Sequence, residues 1–259
     1  MQCKLRLDAA VAAQGEVSRS RARSLIIAGR VRVNGNPVTK PGSSVGPDAV
    51  VDVVRARPYV SRGGEKLEHA LDCFKIDASG VQALDIGAST GGFTDCLLSH
   101  GAEHVTAVDV GYGQLAWQLR NDPRVTVLER CNFRTLSDDA FPAGFELIVI
   151  DTSFISLLTI LARARQFLRP NGTIIALVKP QFEAGKERLG RGGVVRDPRT
   201  HRAVLREVRD GASKLGLFAQ KLAASPLRGP AGNREFLILL CRHGTLIDDS
   251  WIDLILADP

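Results

Sequence analysis

The glycine-rich loop at residues 87–92 lacks the Gly-x-Gly-x-x-Gly pattern, because Ser89 stands at the second position after Gly87, and it lacks the Lys-Ser/Thr of a P-loop. Those two absences argue against a dinucleotide and against a nucleoside triphosphate at that turn. The chain has no uninterrupted apolar run long enough to span a bilayer and no signal peptide, so no membrane segment is expected. Its five cysteines, Cys3, Cys73, Cys96, Cys131 and Cys241, are odd in number and scattered, with no CxxC pair. A zinc site and a disulfide framework are therefore not expected, and a reduced, cytoplasmic protein is. Aromatic residues are scarce, and none precedes Tyr59, so the first segment has no anchors for a membrane surface.

Charge is the first positive signal. The first 60 residues carry ten Lys and Arg against four Asp and Glu, and the rest of the 259-residue chain carries 24 of each. The whole formal charge of +6 therefore sits in the first segment. Such confinement suits a polyanionic partner such as nucleic acid, although a charge run can also be a plain solvated face. The length allows one large domain plus a small one, and 44% hydrophobic residues can build a sizeable core. The spacing predicts a domain at 1–55, a linker at 56–63 and a second domain at 64–259.

Leu5, Leu7, Ala10 and Val11 set the apolar face of a short first helix. Ser18 is an N-cap for a second helix over 19–28, ended by Gly29. On that helix Arg19 and Arg23 lie four apart, opposite a stripe of Ala22, Leu25 and Ile26. Residues 31–33 alternate as a strand, Asn34-Gly35 is a hairpin turn, Val38 begins the return, and 50–54 is a further strand. Arg6-Leu7-Asp8, Ser18-Arg19-Ser20-Arg21-Ala22, the run 27–35 and Val38-Thr39-Lys40-Pro41 resemble the S4-type RNA-binding domain. The resemblance implies RNA contact, for which Arg6, Arg19, Arg23, Arg30, Lys40 and Arg62 are the candidates. Phosphate contact of this kind positions RNA without selecting a sequence.

From residue 64 onward, strands alternate with helices. Strands are expected at 81–86, 104–109, 124–128, 146–151, 172–179, about 217–223 and 235–241, with helices at 114–119, 154–168 and 198–214. Another helix opens at Tyr59-Val60-Ser61-Arg62-Gly63-Gly64-Glu65-Lys66-Leu67 and runs on through Leu71 and Phe74. This pattern gives a mostly parallel sheet with helices on both faces, and ligand groups at the carboxyl ends of its strands. The loop 85–92 reads acid, Gly, three residues, then two glycines, and it resembles the first motif of S-adenosylmethionine (SAM) dependent methyltransferases. Asp109 follows about 20 residues later, where an acid can bond the ribose hydroxyls of a nucleoside cofactor; it can also cap the next helix. Asn132 either reads the adenine edge or is a turn residue. Asp85, Gly87, Ala88, Ser89, Gly91, Phe93, Asp109, Val110, Asn132 and Asp151 are the candidate cofactor contacts, with Gly87 and Gly91 letting the backbone approach the methionine half.

Four charged residues sit where charge is awkward: Lys66 at the start of the helix before the strand at 81–86, and Asp151, Lys179 and Glu235 at the ends of apolar runs. Burying them is costly unless they are paired, and a structural salt bridge between Asp151 and Lys179 is the simplest account. They also match the Lys-Asp-Lys-Glu quartet of ribose 2′-O-methyltransferases of the FtsJ/RrmJ-like class. A 2′-hydroxyl is a poor nucleophile and needs a base as the methyl arrives. Lys179 is the candidate base, Lys66 would lower its pKa and orient the hydroxyl, and Asp151 and Glu235 would hold the two ammonium groups. The motifs at 59–67, 85–95, Asp151-Thr152-Ser153-Phe154-Ile155-Ser156, Val178-Lys179-Pro180-Gln181-Phe182-Glu183, 192–197 and 232–236 together resemble the TlyA family. Thr152 and Cys131 depart slightly from its pattern. That resemblance implies a Rossmann-like α/β methyltransferase domain with a seven-stranded, mostly parallel sheet after a small α+β S4-type domain. It implies SAM as cofactor and cytidine 2′-O-methylation of ribosomal RNA (rRNA) in ribosomal subunits, small alone or small and large. Alternatives are a membrane-active haemolysin, a label common in the family, or an RNA-binding protein with an inactive second domain.

Overall fold

The computed structural model describes residues 4–15, 17–53 and 58–257, so Cys3, the last residue of the strand expected at 50–54, and residues 56–57 of the expected linker lie outside the described residues. Two compact units divide between Arg57 and Pro58. The small unit runs β1 (Leu5–Arg6), α1 (Leu7–Gln14), α2 (Arg19–Ile27), β2 (Val31–Val33), β3 (Asn36–Pro37), β4 (Ser44–Val45) and β5 (Val51–Val53). Strands β1 and β4 pair, and β3, β2 and β5 form a three-stranded antiparallel sheet. Leu7, Val11, Ala22, Ile26, Val31, Val45 and Val51 make its core.

Two expectations about this unit are corrected. Leu5 is not on the first helix but in a strand, 48% exposed, because the chain stays extended until Arg6. The return strand of the hairpin begins at Asn36 rather than Val38, since Asn34 and Gly35 both take positive φ and turn the chain in two residues. The capping prediction for α2 holds: the Ser18 hydroxyl accepts the Arg21 N–H at 3.2 Å.

The large unit runs α3 (Arg62–Phe74), β6 (Gln82–Ile86), α4 (Gly92–Ser99), β7 (His104–Val108), α5 (Trp117–Arg120), β8 (Val125–Leu128), β9 (Phe145–Ile150), α6 (Leu157–Ala164), β10 (Leu168–Val178), α7 (Pro180–Glu183), α8 (Pro198–Lys214), β11 (Phe218–Ala224), β12 (Phe236–Cys241) and α9 (Asp249–Ala257). Its seven strands lie in the order β11-β12-β10-β9-β6-β7-β8, and only β12 pairs antiparallel to its neighbours. The mostly parallel seven-stranded Rossmann-like sheet read from the alternation is therefore present.

Both faces are covered, which is why the strands read as continuous apolar runs. Ala83, Leu147, Val149, Ile175 and Leu177 pack with Leu67, Leu71, Phe93 and Leu97 of α3 and α4. The alternate residues Leu84, Ile148, Ile150, Ile174 and Ala176 pack with Leu161, Leu205 and Ile252 of α6, α8 and α9. Each fully buried Leu or Ile contributes about 1.5–3 kcal/mol relative to exposure.

The expected helix at 154–168 is shorter. It starts at Leu157, gives way to a 3-10 turn at Arg165–Phe167, and the next strand begins at Leu168, four residues before expectation. Phe154 cannot belong to it, because its φ is +64°. The helix expected at 114–119 begins only at Trp117.

The order of the sheet places a switch point at β6. The chain steps from β6 to β7 and β8 on one side, and β9 then pairs on the other side. The loops after β6 and β9 therefore diverge around one crevice, the usual ligand site of such sheets.

Candidate active site

A cleft of about 560 Å³ opens at that crevice. It is lined by Gly87 and Ser89 after β6, Asp109 and Val110 after β7, Asn132 and Phe133 after β8, and Asp151, Thr152, Ser153 and Phe154 after β9. A volume of this size suits a nucleoside-sized ligand.

Asp109 is held rigidly. Its two oxygens accept the Ser89 N–H at 2.8 Å and the Gly111 N–H at 2.7 Å. Asp109 does not cap the next helix, whose N-cap is Ala116; four lone-pair sites on its carboxylate leave room for two further donors, so these turn contacts and ribose binding are compatible. Asn132 likewise caps the turn at Phe133–Thr135, accepting the Arg134 N–H at 3.2 Å, while lining the cleft.

Other candidates are placed differently. Asp85 is fully buried beneath the loop, where one oxygen accepts the Thr94 hydroxyl at 2.7 Å. Ala88 and Phe93 are buried in the layer over the sheet. None of these three, nor Gly91, lines the cleft. The two loop glycines serve the protein's own packing. At Gly91 a Cβ would stand 2.3 Å from Leu119 Cδ1, and at Gly87, with φ +86°, 2.7 Å from the Asp151 carbonyl oxygen. The close approach required at Gly87 is to the β9 backbone, whose Asp151 N–H donates to Ile86 O at 3.0 Å. Gly87→Ala is therefore expected to combine a backbone clash with a left-handed alanine. A cost of about 3 kcal/mol would lower the melting temperature of this unit by roughly 6–12 °C in a calorimetric scan. An unchanged melt would count against that packing account.

The quartet forms two ion pairs at the ends of three neighbouring strands. Ile150 of β9 pairs with Ala176 of β10, and Val178 of β10 pairs with Phe236 of β12. Asp151, Lys179 and Glu235 each flank one of those strands, so the register alone brings them to one edge. Lys179 Nζ is 2.6 Å from Asp151 Oδ1 and donates to the Ser153 hydroxyl at 2.9 Å. Lys66, projecting from α3, donates to Glu235 Oε2 at 2.5 Å, and both are buried. Glu235 is walled in: a Cβ on Gly229 would come 2.5 Å from its Oε1.

Reading the sequence missed Gln114, Arg134 and the segment Thr152–Ile155 as cleft residues. Gln114 and Arg134 carry no local signal. Phe154 does, since it lies three residues after Asp151 in the stretch 151–156, but its positive φ and 91% exposure are visible only in the fold. Its ring lies 5.0 Å from that of Phe182. The candidate nucleic-acid residues Arg6, Arg19 and Arg23 gather in the small unit around Asp8, and Arg62 is exposed at the start of α3. Among the described residues no helix is long and apolar enough to cross a membrane, and no cluster of His, Cys, Asp and Glu could hold a metal.

Comparison with known proteins agrees with this geometry. Residues 59–242 match the FtsJ-like methyltransferase family, and residues 5–51 match the S4 domain. The chain is 47% identical, over 93% of its length and 91% of the other's, to the 16S/23S rRNA (cytidine-2′-O)-methyltransferase TlyA of Mycobacterium tuberculosis. It is 40% identical, over 90% of its length and 98% of the other's, to Hemolysin A of Brachyspira hyodysenteriae. A solved structure from Streptococcus thermophilus, provisionally described as a hemolysin, superposes with a TM-score of 0.76 at 40% identity, covering 99% of this chain and 96% of that one. The chain belongs to the TlyA family, with an S4 domain followed by an FtsJ-like methyltransferase domain.

Proposed function

We propose that this protein transfers a methyl group from SAM to the 2′-hydroxyl of a cytidine in ribosomal RNA. The observation that carries the proposal is the pair of lysine–carboxylate bridges aligned at the ends of β9, β10 and β12, beside the cleft. Bound SAM supplies an activated sulfonium methyl. In this reading Asp109 would hold the ribose diol of the cofactor, Val110, Asn132 and Phe133 would surround its base, and Gly87, Asp151 and Thr152 would border the amino-acid half. Asp85 acts from below, by supporting the loop.

The acceptor hydroxyl must lose its proton as the new O–C bond forms and the methyl's bond to sulfur breaks, the neutral thioether being the leaving group. In its uncharged amine form Lys179 Nζ can take that proton, and Asp151 at 2.6 Å stabilises the ammonium that results. Ser153, hydrogen-bonded to the same nitrogen, fixes its direction. The Lys66–Glu235 pair orients the hydroxyl from the β12 side. The remaining contribution is in-line alignment, which a rigid strand-end platform provides. The S4 unit, where the chain's excess positive charge resides, supplies sequence-independent hold on the rRNA. The cytosine specificity and the rRNA substrate are inferred from the name of the M. tuberculosis relative.

The test is direct. The purified protein is incubated with tritiated SAM and with small or large ribosomal subunits from a strain lacking this activity. Labelled 2′-O-methylcytidine in the digested rRNA is the expected product, and the subunit that carries it defines the substrate. Label on a base, or none on either subunit, would overturn the proposal. Lysis of red cells by the highly purified protein would favour the haemolysin reading instead.

A further inference from the structure

Three guanidinium groups of the small unit converge on one carboxylate. Arg6 donates through Nε and Nη2 to the two oxygens of Asp8 at 3.1 and 3.0 Å. Arg19 Nη2 donates to Oδ1 at 3.2 Å, and Arg23 Nε lies 3.6 Å from Oδ2. The carboxylate is only 2% exposed, whereas the three arginine side chains are 54%, 62% and 60% exposed. These residues and Ser20 line one shallow hollow.

The arrangement is fixed from below. Asp8 sits in the first turn of α1, where the helix dipole favours an anion, and its N–H donates to Pro41 O at 3.0 Å. The Arg6 guanidinium lies against Gly42, where a Cβ would be 3.5 Å from Nη2. Arg19 and Arg23 come from adjacent turns of α2. The Arg6 hydrogen bond is the main force holding the Asp8 carboxyl far below the usual carboxylate range. Three cations around one anion leave the hollow with a net charge of +2.

Each guanidinium has five donors, and the hydrogen bonds to Asp8 use two from Arg6 and one from Arg19. A planar fork matches phosphate oxygens two at a time, and holding it in place beforehand reduces what ordering costs on binding. We infer that Asp8 is a positioning residue that gathers Arg6, Arg19 and Arg23 into a clamp for a backbone phosphate of ribosomal RNA. This rests on the reading that the small unit binds rRNA. Asp8 itself does not touch the RNA.

A charge-only account makes the opposite prediction, which allows a test by sign. Asp8→Asn keeps the shape and adds one unit of positive charge. If charge alone mattered, the variant would bind RNA more tightly, with steeper salt dependence. If Asp8 positions the arginines, binding weakens despite the added charge. The full-length protein and variants are titrated with unmodified small- and large-subunit rRNA transcripts over a salt series, with melting followed in parallel. Asp8→Asn is expected to weaken binding about tenfold and to raise KM for rRNA, with kcat and SAM affinity unchanged. Equal or tighter binding by a folded Asp8→Asn protein overturns the inference. If that variant does not fold, Arg6→Lys decides, since it keeps the charge but loses the two-point bond to Asp8. A similar loss supports the inference, and unchanged binding overturns it. Arg19→Ala reports on the underlying reading: if it leaves rRNA affinity intact, the small unit is not the RNA-binding surface, whatever Asp8 does.

Discussion

Lys179→Ala is expected to lower the rate of methyl transfer by about 10²–10⁴-fold, the usual contribution of a positioned general base, while SAM still binds. Two features make this lysine the informative member of the quartet. Its partner Asp151 keeps 23% side-chain exposure, so losing the ammonium leaves a carboxylate that water can reach. Glu235, at 1% exposure, has no such relief. Lys66→Ala would strand that carboxylate and cost about 3–5 kcal/mol of stability, mixing folding with chemistry. Lys179→Arg separates proton transfer from charge. A guanidinium can keep the Asp151 pair but does not give up its proton at accessible pH, so it cannot serve as a base. Both Lys179 variants should therefore fail in single-turnover tritium transfer to rRNA, with SAM affinity measured by calorimetry as the control. Near-normal transfer by Lys179→Arg would show that the site needs only a positive charge, and would remove the base from the mechanism.

The parts of this fold that a sequence reader can see are those set by short-range pattern. The central strands are buried on both faces, so they appear as runs such as Leu147-Ile148-Val149-Ile150, and apart from the early start of β10 their ends lie within a residue or two of expectation. Asp151, Lys179 and Glu235 are visible because a charge at the end of such a run stands out; Lys66, inside α3, has no such signal. Long-range geometry was less visible. The helix expected from residue 154 begins at Leu157 because Phe154 turns left-handed beside Phe182, a contact across 28 positions. The glycines of the cofactor loop are also set by packing: Gly87 lines the cleft and makes room for the Asp151 backbone as well, and Gly91, away from the cleft, makes room for Leu115 and Leu119. The arginines of the S4 unit read as an open basic face, but the carboxylate that organises them is 11 positions from Arg19. Each of these depends on a partner that strand or helix periodicity does not specify.

Asp85 shows the same contrast and leads to a second large effect. Reading the sequence put it among the cofactor contacts, because it sits beside the glycine loop at the strand's end. In the fold it shares with Ala83 the face of β6 that α3 and α4 cover, and burial pushes its carboxyl up from 3.8 to about 7. The Thr94 hydroxyl offsets part of that, while the nearby Asp151 charge adds to it. An acid whose folded pKa lies above its unfolded value binds more protons in the native state. Its contribution to stability is therefore fully present below about pH 4 and is lost as pH rises through 7. A shift of about three units corresponds to about 4 kcal/mol. Asp85→Asn removes that titration while keeping an oxygen for Thr94. Its amide gains an N–H₂ where the second carboxylate oxygen now has no hydrogen-bond partner, costing about 1–3 kcal/mol at every pH. The variant should thus be less stable than the parent at pH 4 and comparable or more stable at pH 8. The difference between the two proteins should swing by about 4 kcal/mol, read from urea unfolding at each pH. Other titrating groups, such as Asp249 with its arginine partners, cancel in that difference. A pH-independent difference would mean that Asp85 keeps an ordinary carboxylate pKa despite its burial. The location of the swing also bears on function. An acid half-ionised near pH 7 beneath the cofactor loop would link SAM affinity to pH over the same range, and Asp85→Asn should flatten that dependence in calorimetric titrations.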